Sequence, residues 1–140
     1  MLVTRNGKSI RFRESQTRNM GRSAHGVHAI RLKNTDEIVD CEIIAKNARL
    51  DSTARQGKGQ VVFTASEKGF GKKTDLKEYR LQARGGSGIK AMNCTAKTGK
   101  LVAAKVIDNS DSSASSDGTV GAGGEFIAIS ERGQAIRSSL

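Results

Sequence analysis

Cations are the most informative reactive side chains in this sequence. The 140 residues include 24 Lys and Arg against 14 Asp and Glu, which gives a formal charge of +10. Residues 1–33 and residues 68–100 each carry a net charge of +7, whereas residues 34–67 and residues 101–140 each carry −2. Concentrated positive charge attracts polyanions. The first chemistry that the sequence predicts is therefore binding to phosphate groups, and the alternative is a solvated basic face.

The predicted phosphate contacts come from the two basic segments and from a glycine-rich run at residues 84–88. Glycines have no Cβ, so their backbone N–H groups can approach a phosphate closely, although such a run can also be a plain tight turn. The candidate DNA-binding residues are Arg5, Lys8, Arg11, Arg13, Arg18, Arg22, His28, Arg31, Lys68, Lys72, Lys73, Lys77, Arg80, Arg84, Gly85, Gly86, Gly88 and Lys90.

Other residue combinations favour neither catalysis nor metal binding. Tyr79 is the only tyrosine, and no acidic cluster that could bind a metal accompanies it, so we expect a structural role. His25 and His28 lie three apart in a turn-like segment, where that spacing does not imply a shared ligand. Two cysteines are too few for a disulfide scaffold or a four-ligand zinc site. The sequence predicts no catalytic residue, metal or cofactor.

Internal repeats must position the cations. Three segments are similar, at residues 2–11, 64–73 and 128–137, and each has a glycine followed four positions later by a basic residue. This pattern predicts a hairpin of strand, glycine turn and strand. A second block occurs at residues 22–30 and again at residues 84–92, which gives His28 the repeat position of Lys90.

Alternating apolar residues complete the repeat unit. They occur at every second position of two further segments, as Val39, Cys41 and Ile43 and as Val102, Ala104 and Val106. This period is that of a half-buried strand, so these six side chains are expected to face a core. The sequence therefore predicts an all-β protein built from units of about four antiparallel strands. If such units pack side by side, their basic segments join into one stripe that matches the regular phosphates of duplex DNA.

The chain accommodates two units and the opening of a third, at about residues 1–62, 63–126 and 127–140, as if cut from a longer array. Residues 46–60 are predicted to form a polar loop. Residues 108–124, with five Ser, four Gly and three Asp, are expected to be a flexible surface loop, because this composition buries little apolar area. No apolar run approaches the roughly 20 residues of a membrane span, so we expect a soluble, cytoplasmic protein without membrane contact.

Several runs carry a family resemblance, at residues 7–15, 18–22, 26–32, 69–74, 78–80 and 88–91. They resemble the repeats of the DNA-wrapping C-terminal domain of DNA gyrase A subunits, which topoisomerase IV shares. The resemblance implies a β-pinwheel, a propeller-like disc of four-stranded blades in which neighbouring blades exchange strands. It also implies that duplex DNA bends around a basic rim.

The same resemblance implies a non-catalytic module of an ATP-dependent type II topoisomerase. Its partners would be double-stranded DNA, the rest of the gyrase A subunit, plus the gyrase B subunit. The catalytic tyrosine of such enzymes lies in another region, and Tyr79 matches a blade residue. The family's box of a glutamine with alternating basic residues and glycines is incomplete here, because Ala83 and Ser87 occupy positions that are usually basic. Handed wrapping is therefore not implied.

Three alternatives remain open at this stage. The first is the corresponding domain of topoisomerase IV. The second is a propeller-type scaffold whose basic rim binds acidic proteins. The third is an inert fragment whose exposed strand edges self-associate.

Overall fold

The structure is a computed structural model that describes residues 1–33, 35–44, 60–108 and 125–139. Within these residues the regular elements are strands and two short 3-10 helices, at Glu14–Gln16 and Leu76–Glu78. The strands are β1 (Leu2–Thr4), β2 (Lys8–Ile10), β3 (Ile38–Cys41), β4 (Gln60–Ser66), β5 (Gly71–Asp75), β6 (Ile89–Lys90), β7 (Leu101–Asp108), β8 (Glu125–Ile129) and β9 (Ala135–Ser139). The predicted all-β class is confirmed.

Glycine turns form the three predicted hairpins. Strands β1 and β2, β4 and β5, and β8 and β9 pair in antiparallel fashion. Gly7, Gly69 and Gly133 occupy the turns, each with φ of 78°. This conformation strains residues that have a Cβ, so the glycine in each copy sets where the chain reverses. The hairpin prediction is confirmed at all three positions.

The second repeat contributes a strand to the sheet of the first. The first sheet has the order β3-β1-β2-β6, and the second has the order β5-β4-β7. Lys8 and Ser9 of β2 pair with Lys90 and Ile89 of β6 in antiparallel register. Strand β6 thus leaves its own repeat and completes the neighbouring sheet, which is the strand exchange that the resemblance implies. We call residues 81–92 the exchanged segment.

The exchanged segment takes part in two small apolar cores. Val3 of β1 packs with Met92, Leu101 and Ala104 of the second repeat, and all four side chains are buried. The second core contains Val62, Leu76, Tyr79 and Ala91. Burial of one large aliphatic or aromatic side chain contributes about 1.5–3 kcal/mol. Ala91 and Met92 end the exchanged segment, so its insertion also fills both cores.

The predicted alternation of apolar residues is wrong in part. Cys41 is exposed, as are Ile43 (91% exposed) and Val102 (48% exposed), although all three were expected to face a core. Register shifts explain the difference at Val102, which is the extra residue of a bulge between the pairs Ser66–Leu101 and Ala65–Ala103. A bulge adds one residue and reverses the faces beyond it.

An equivalent register shift lies in the first sheet, where Val3 pairs with Asp40 and Thr4 pairs with Ile38. Strand β3 is also the outermost strand of this sheet, so side chains on it have fewer neighbours.

Most of the two predicted loops, at residues 46–60 and 108–124, lies outside the described residues. Gln60, the last residue of the first, lies in β4 and pairs with Asp108 of β7, the first residue of the second. Among the described residues, no helix has the length and apolar character needed to cross a membrane.

We predict that Gly88→Ala destabilises the protein more than Gly69→Ala. Both glycines have positive φ, 69° and 78°, which costs an alanine about 1–2 kcal/mol. A Cβ at Gly88 would also lie 2.5 Å from the carbonyl oxygen of Ser9, whereas a Cβ at Gly69 would meet nothing within 4 Å. We expect urea unfolding to show a total loss of about 3 kcal/mol for Gly88→Ala. Equal losses for the two variants would contradict the close packing of the exchanged segment on β2.

We also predict that Tyr79 ionises only as the chain unfolds. Burial raises the pKa of the Tyr79 phenol above its ordinary value. Below pH about 10 both states keep the proton, and above it the unfolded chain ionises first, so the free energy of unfolding should fall as the pH rises. Because Tyr79 is the only tyrosine, phenolate absorbance and circular dichroism in one alkaline titration test this. Ionisation near pH 10 with the β signal intact would refute it.

Candidate nucleic-acid interface

Backbone hydrogen bonds place the exchanged segment among the cations of the first repeat. The Gln82 N–H donates to the Arg11 carbonyl, and the Gly85 N–H donates to the Ala29 carbonyl, both at 2.8 Å. In the other direction, the Arg31 N–H donates to a carbonyl of this segment, that of Gly86, at 2.8 Å. The exchanged segment, which is part of the second basic segment, therefore lies against the first basic segment.

Two lysines face each other across the β2–β6 pair. Lys8 and Lys90 are directly opposite in the antiparallel register, and both side chains are exposed. Like charges at directly opposite positions destabilise a sheet. Among the described residues, neither lysine forms an ion pair with an acid. An anion bound between them would relieve this repulsion, so the pair is a candidate phosphate contact.

A cavity of about 230 Å³ adjoins Lys8. Two further cations, Arg31 and Lys33, line it, and the only acid in its lining is Asp36. The Asp36 carboxylate accepts the N–H groups of Asn6 (2.9 Å) and Glu37 (3.0 Å), which fixes it to the backbone. The full lining is Thr4, Asn6, Lys8, Ile30, Arg31, Leu32, Lys33, Asp36 and Ser87. The cavity therefore has a net positive lining.

Sequence reasoning missed Lys33 as a candidate contact. The residue lies two positions after Arg31, at the end of the first basic segment, and it contributes to the charge of that segment. Only its position in the cavity lining distinguishes it from other exposed lysines. The charge count contained the signal, but no motif pointed to the residue.

Arg84 links the exchanged segment to the loop of the first repeat. Its Nε donates to the Gln16 carbonyl at 3.0 Å, and its Nη1 donates to the His28 carbonyl at 2.5 Å. Its backbone N–H donates to Oε1 of Gln16 at 2.7 Å. Neutral carbonyls do not cancel the guanidinium charge, and the five N–H groups of an arginine leave donors for a phosphate. We call Lys8, Arg31, Lys33, Arg84 and Lys90 the basic cluster.

The glycines of the exchanged segment pack against the first repeat. The Gly85 N–H is already used by Ala29, and the Gly86 carbonyl accepts the Arg31 N–H. Gly88 lies so close to Ser9 that a Cβ would collide with its carbonyl. These contacts explain the glycines without a phosphate. The Gly85 N–H is therefore not free for a phosphate, and the predicted phosphate contacts of Gly86 and Gly88 stay predictions.

Arg11 is placed in the interior, not at the interface. Its side chain is buried (8% exposed), and its Nη1 donates to the carbonyls of Leu76 and Tyr79, each at 3.2 Å. Desolvation lowers the pKa of its guanidinium. A cation enclosed in this way cannot reach a phosphate of a docked duplex. We therefore remove Arg11 from the set of candidate contacts.

Three other predicted cations have partners within the protein. Arg5 forms an ion pair with Glu37 and lies 4.0 Å from Glu67, and hydrogen bonding to Glu37 raises its pKa. Lys77 pairs with Asp75 at 2.9 Å, and this hydrogen bond raises its pKa. The Lys68 Nζ donates to the carbonyl of Ala96. Arg5 and Lys77 are the more fully compensated, because their partners carry negative charge.

The remaining predicted cations are exposed on loops and on β5, with no ion pair among the described residues; they are Arg13, Arg18, Arg22, His28, Lys72, Lys73 and Arg80. Lys72 and Lys73 belong to the second sheet, so the structure does not join them to the basic cluster. The described part of the chain contains no group of three or more His, Cys, Asp or Glu side chains that could hold a metal ion.

Comparisons with known proteins agree with this architecture. The family model of the DNA gyrase C-terminal domain, a beta-propeller, matches residues 1–45 and 60–108. The DNA gyrase A subunit of Aminobacterium colombiense is 35% identical over 140 residues, which cover 100% of this chain and 14% of the relative. The DNA gyrase A subunit of Kosmotoga olearia is 37% identical over 137 residues, or 98% of this chain and 14% of that relative.

A solved structure shows the same fold. The crystal structure of the C-terminal domain of DNA topoisomerase IV superposes with a TM-score of 0.72 at 21% sequence identity, covering 99% of this chain and 36% of that chain. The chain spans only 14% of the length of each of the two gyrase relatives. The matches nevertheless extend over both repeats and include the exchanged segment. The chain therefore belongs to the DNA gyrase C-terminal domain family.

Proposed function

We propose that this chain binds the sugar–phosphate backbone of duplex DNA, without reading base sequence, as a DNA-holding and DNA-bending part of a type II topoisomerase. The observation that carries the proposal is the direct opposition of Lys8 and Lys90 across β2 and β6. Strand pairing forces these two charges together, and among the described residues neither is in an ion pair. A phosphate is the ligand that best compensates such a pair.

Counterion release supplies the affinity in this mechanism. Duplex DNA carries condensed cations, and each phosphate neutralised by a Lys or Arg sets some of them free. The basic cluster offers five such cations, and Arg84 is held in place by its carbonyl contacts before DNA arrives. Contacts of this kind orient the duplex but carry no base information. The proposed binding is therefore strong at low salt and independent of sequence.

The small number of aromatic side chains favours double-stranded DNA over single-stranded DNA as the ligand. The sequence contains four Phe, one Tyr and no Trp, whereas proteins that hold single strands stack bases on aromatic side chains. Tyr79 is buried in the second core and is unavailable for stacking. Contacts with the backbone of a duplex require Lys and Arg, which this chain has in excess of its acids.

We infer that the parent protein is a gyrase A subunit, that its partner is the gyrase B subunit, and that strand cleavage is performed by another region. The relatives that support gyrase are 35% and 37% identical. The topoisomerase IV structure is 21% identical in sequence and supports the fold alone. In this proposal the present chain has no catalytic residue, and its task is to hold the duplex for an active site elsewhere.

We predict that the double variant Lys8→Gln/Lys90→Gln weakens the salt dependence of duplex binding. In a plot of log affinity against log salt, each neutralised phosphate contributes a slope of about −0.9. Losing two contacts should make the slope shallower by about 1.8. Fluorescence anisotropy with a random-sequence duplex at several salt concentrations measures this.

The control for this experiment is Lys77→Gln, because Lys77 is exposed but already paired with Asp75. The control should leave the slope close to that of the unmodified chain. If the control and the double variant changed the slope equally, binding would follow net charge alone and the proposed site would be rejected.

A further inference from the structure

The cavity beside Lys8 contains an acid that the proposed binding of DNA does not use. Asp36 lines this space of about 230 Å³ together with the cations Lys8, Arg31 and Lys33. Among the described residues, none of these four side chains is in an ion pair. A carboxylate repels the phosphates of a duplex, so a surface for DNA alone gains nothing from it. The acid and the cations line one space without pairing with each other, and a single ligand there would contact both.

Backbone hydrogen bonds fix one oxygen of Asp36 and leave the other free. Oδ1 accepts the N–H groups of Asn6 (2.9 Å) and Glu37 (3.0 Å), whereas Oδ2 accepts no hydrogen bond from the described residues. The side chain is half-buried, so its position is set before a ligand arrives. Acidic residues in nucleotide sites accept hydrogen bonds from the 2′-hydroxyl of ribose. The free oxygen of Asp36 is suited to the same contact.

The other lining residues supply contacts for a phosphate and for a base. Lys8, Arg31 and Lys33 provide the charge and the N–H donors that a phosphate group requires. Ile30 and Leu32 add apolar surface to the lining, and Leu32 is partly exposed. The volume is below the roughly 300–1,000 Å³ of pockets that enclose drug-sized ligands. The cavity therefore suits a phosphorylated sugar, with an attached base lying against Leu32.

The second repeat does not carry this set of side chains. The first two hairpins and the two copies of the second block are related by an offset of 62 residues, and β3 and β7 are related by an offset of 63 residues. A surface that follows the regular phosphates of a duplex would use equivalent positions in both repeats. The set is instead specific to the first repeat, which favours a ligand of its own. The positions of Lys8, Arg31 and Asp36 are occupied in the second repeat by Phe70, Asn93 and Gly99.

We propose that this cavity binds a ribonucleoside 5′-monophosphate, with its phosphate among Lys8, Arg31 and Lys33 and its 2′-hydroxyl donating to Asp36. The three cations belong to the basic cluster, so the nucleotide competes with duplex DNA for them. DNA lacks the 2′-hydroxyl and cannot make the contact with Asp36. The site goes beyond the proposed function and does not depend on it.

Isothermal titration calorimetry of the full chain at low salt tests the proposal with adenosine 5′-monophosphate, its 2′-deoxy analogue and inorganic phosphate. We expect the ribonucleotide to bind about tenfold more tightly than the 2′-deoxy analogue, because the analogue lacks a hydrogen bond to a charged acceptor. Backbone amide shifts in nuclear magnetic resonance spectra should be largest at the cavity residues Asn6, Lys33 and Ser87. Saturation with the ribonucleotide should also weaken the binding of a random-sequence duplex.

Asp36→Asn separates ligand binding from a structural role of the acid. The amide oxygen still accepts the N–H groups of Asn6 and Glu37, but an NH₂ group replaces the oxygen that would accept from ribose. We expect the preference for the ribonucleotide to disappear, whereas the affinity for inorganic phosphate should not fall. Glu37→Gln is the matched control, because Glu37 pairs with Arg5 and is not in the cavity lining. This control should keep the preference.

The proposal is overturned if the unmodified chain binds the ribonucleotide no better than its 2′-deoxy analogue, or if Asp36→Asn and Glu37→Gln act alike. It is also overturned if the amide shifts lie at the exposed Lys72 and Lys73 rather than at the cavity. Duplex binding measured on the same samples keeps the two proposals apart. A chain that binds the duplex but shows no preference for the ribonucleotide would retain the proposed function and lose this site, and the opposite result would do the reverse.

Discussion

Backbone pairing between β2 and β6 is the interaction on which the arrangement of this molecule depends. It requires the exchanged segment to approach β2 so closely that Gly88 has no room for a Cβ beside the Ser9 carbonyl. The same pairing carries Ala91 and Met92 into the two cores. One short strand therefore ties the repeats together, fills the space between them and fixes which cations become neighbours. A helical or loop connection would not set side-chain positions in this way.

The ion pairs at the junction of the two sheets lie apart from the lysines that we propose to bind phosphate. Lys105 of β7 lies 3.6 Å from Asp40 of β3 and also pairs with Glu42, so opposite charges meet where the two sheets join. A backbone N–H, that of Ala104, donates to Asp40 at the same junction. On the exchanged side, by contrast, Lys8 and Lys90 face each other. Lys105 is thus compensated at the joint, whereas Lys8 and Lys90 are exposed and form no ion pair among the described residues.

Much of this arrangement could be predicted from the sequence, because its signals are local. Turn glycines and their spacing identified the hairpins, and the charge count identified the basic segments. The pairing of β2 with β6 brings together residues far apart in the chain, such as Lys8 and Lys90, and no local pattern encodes it. For that reason Arg11 looked like one more surface cation, and Gly85 looked like a phosphate-binding donor. The bulge at Val102 reversed a strand face, which period-two reasoning cannot anticipate.

The central claim is that the exchanged strand gathers cations from two repeats into one phosphate-binding surface. Lysine acetylation with and without a duplex at low salt, read by mass spectrometry, tests it most directly. We expect DNA to protect Lys8, Lys33 and Lys90 together, whereas Lys77 and Lys105 react equally in both conditions. The claim would be contradicted if DNA protected all exposed lysines equally, or if it left Lys8 and Lys90 as reactive as they are without DNA.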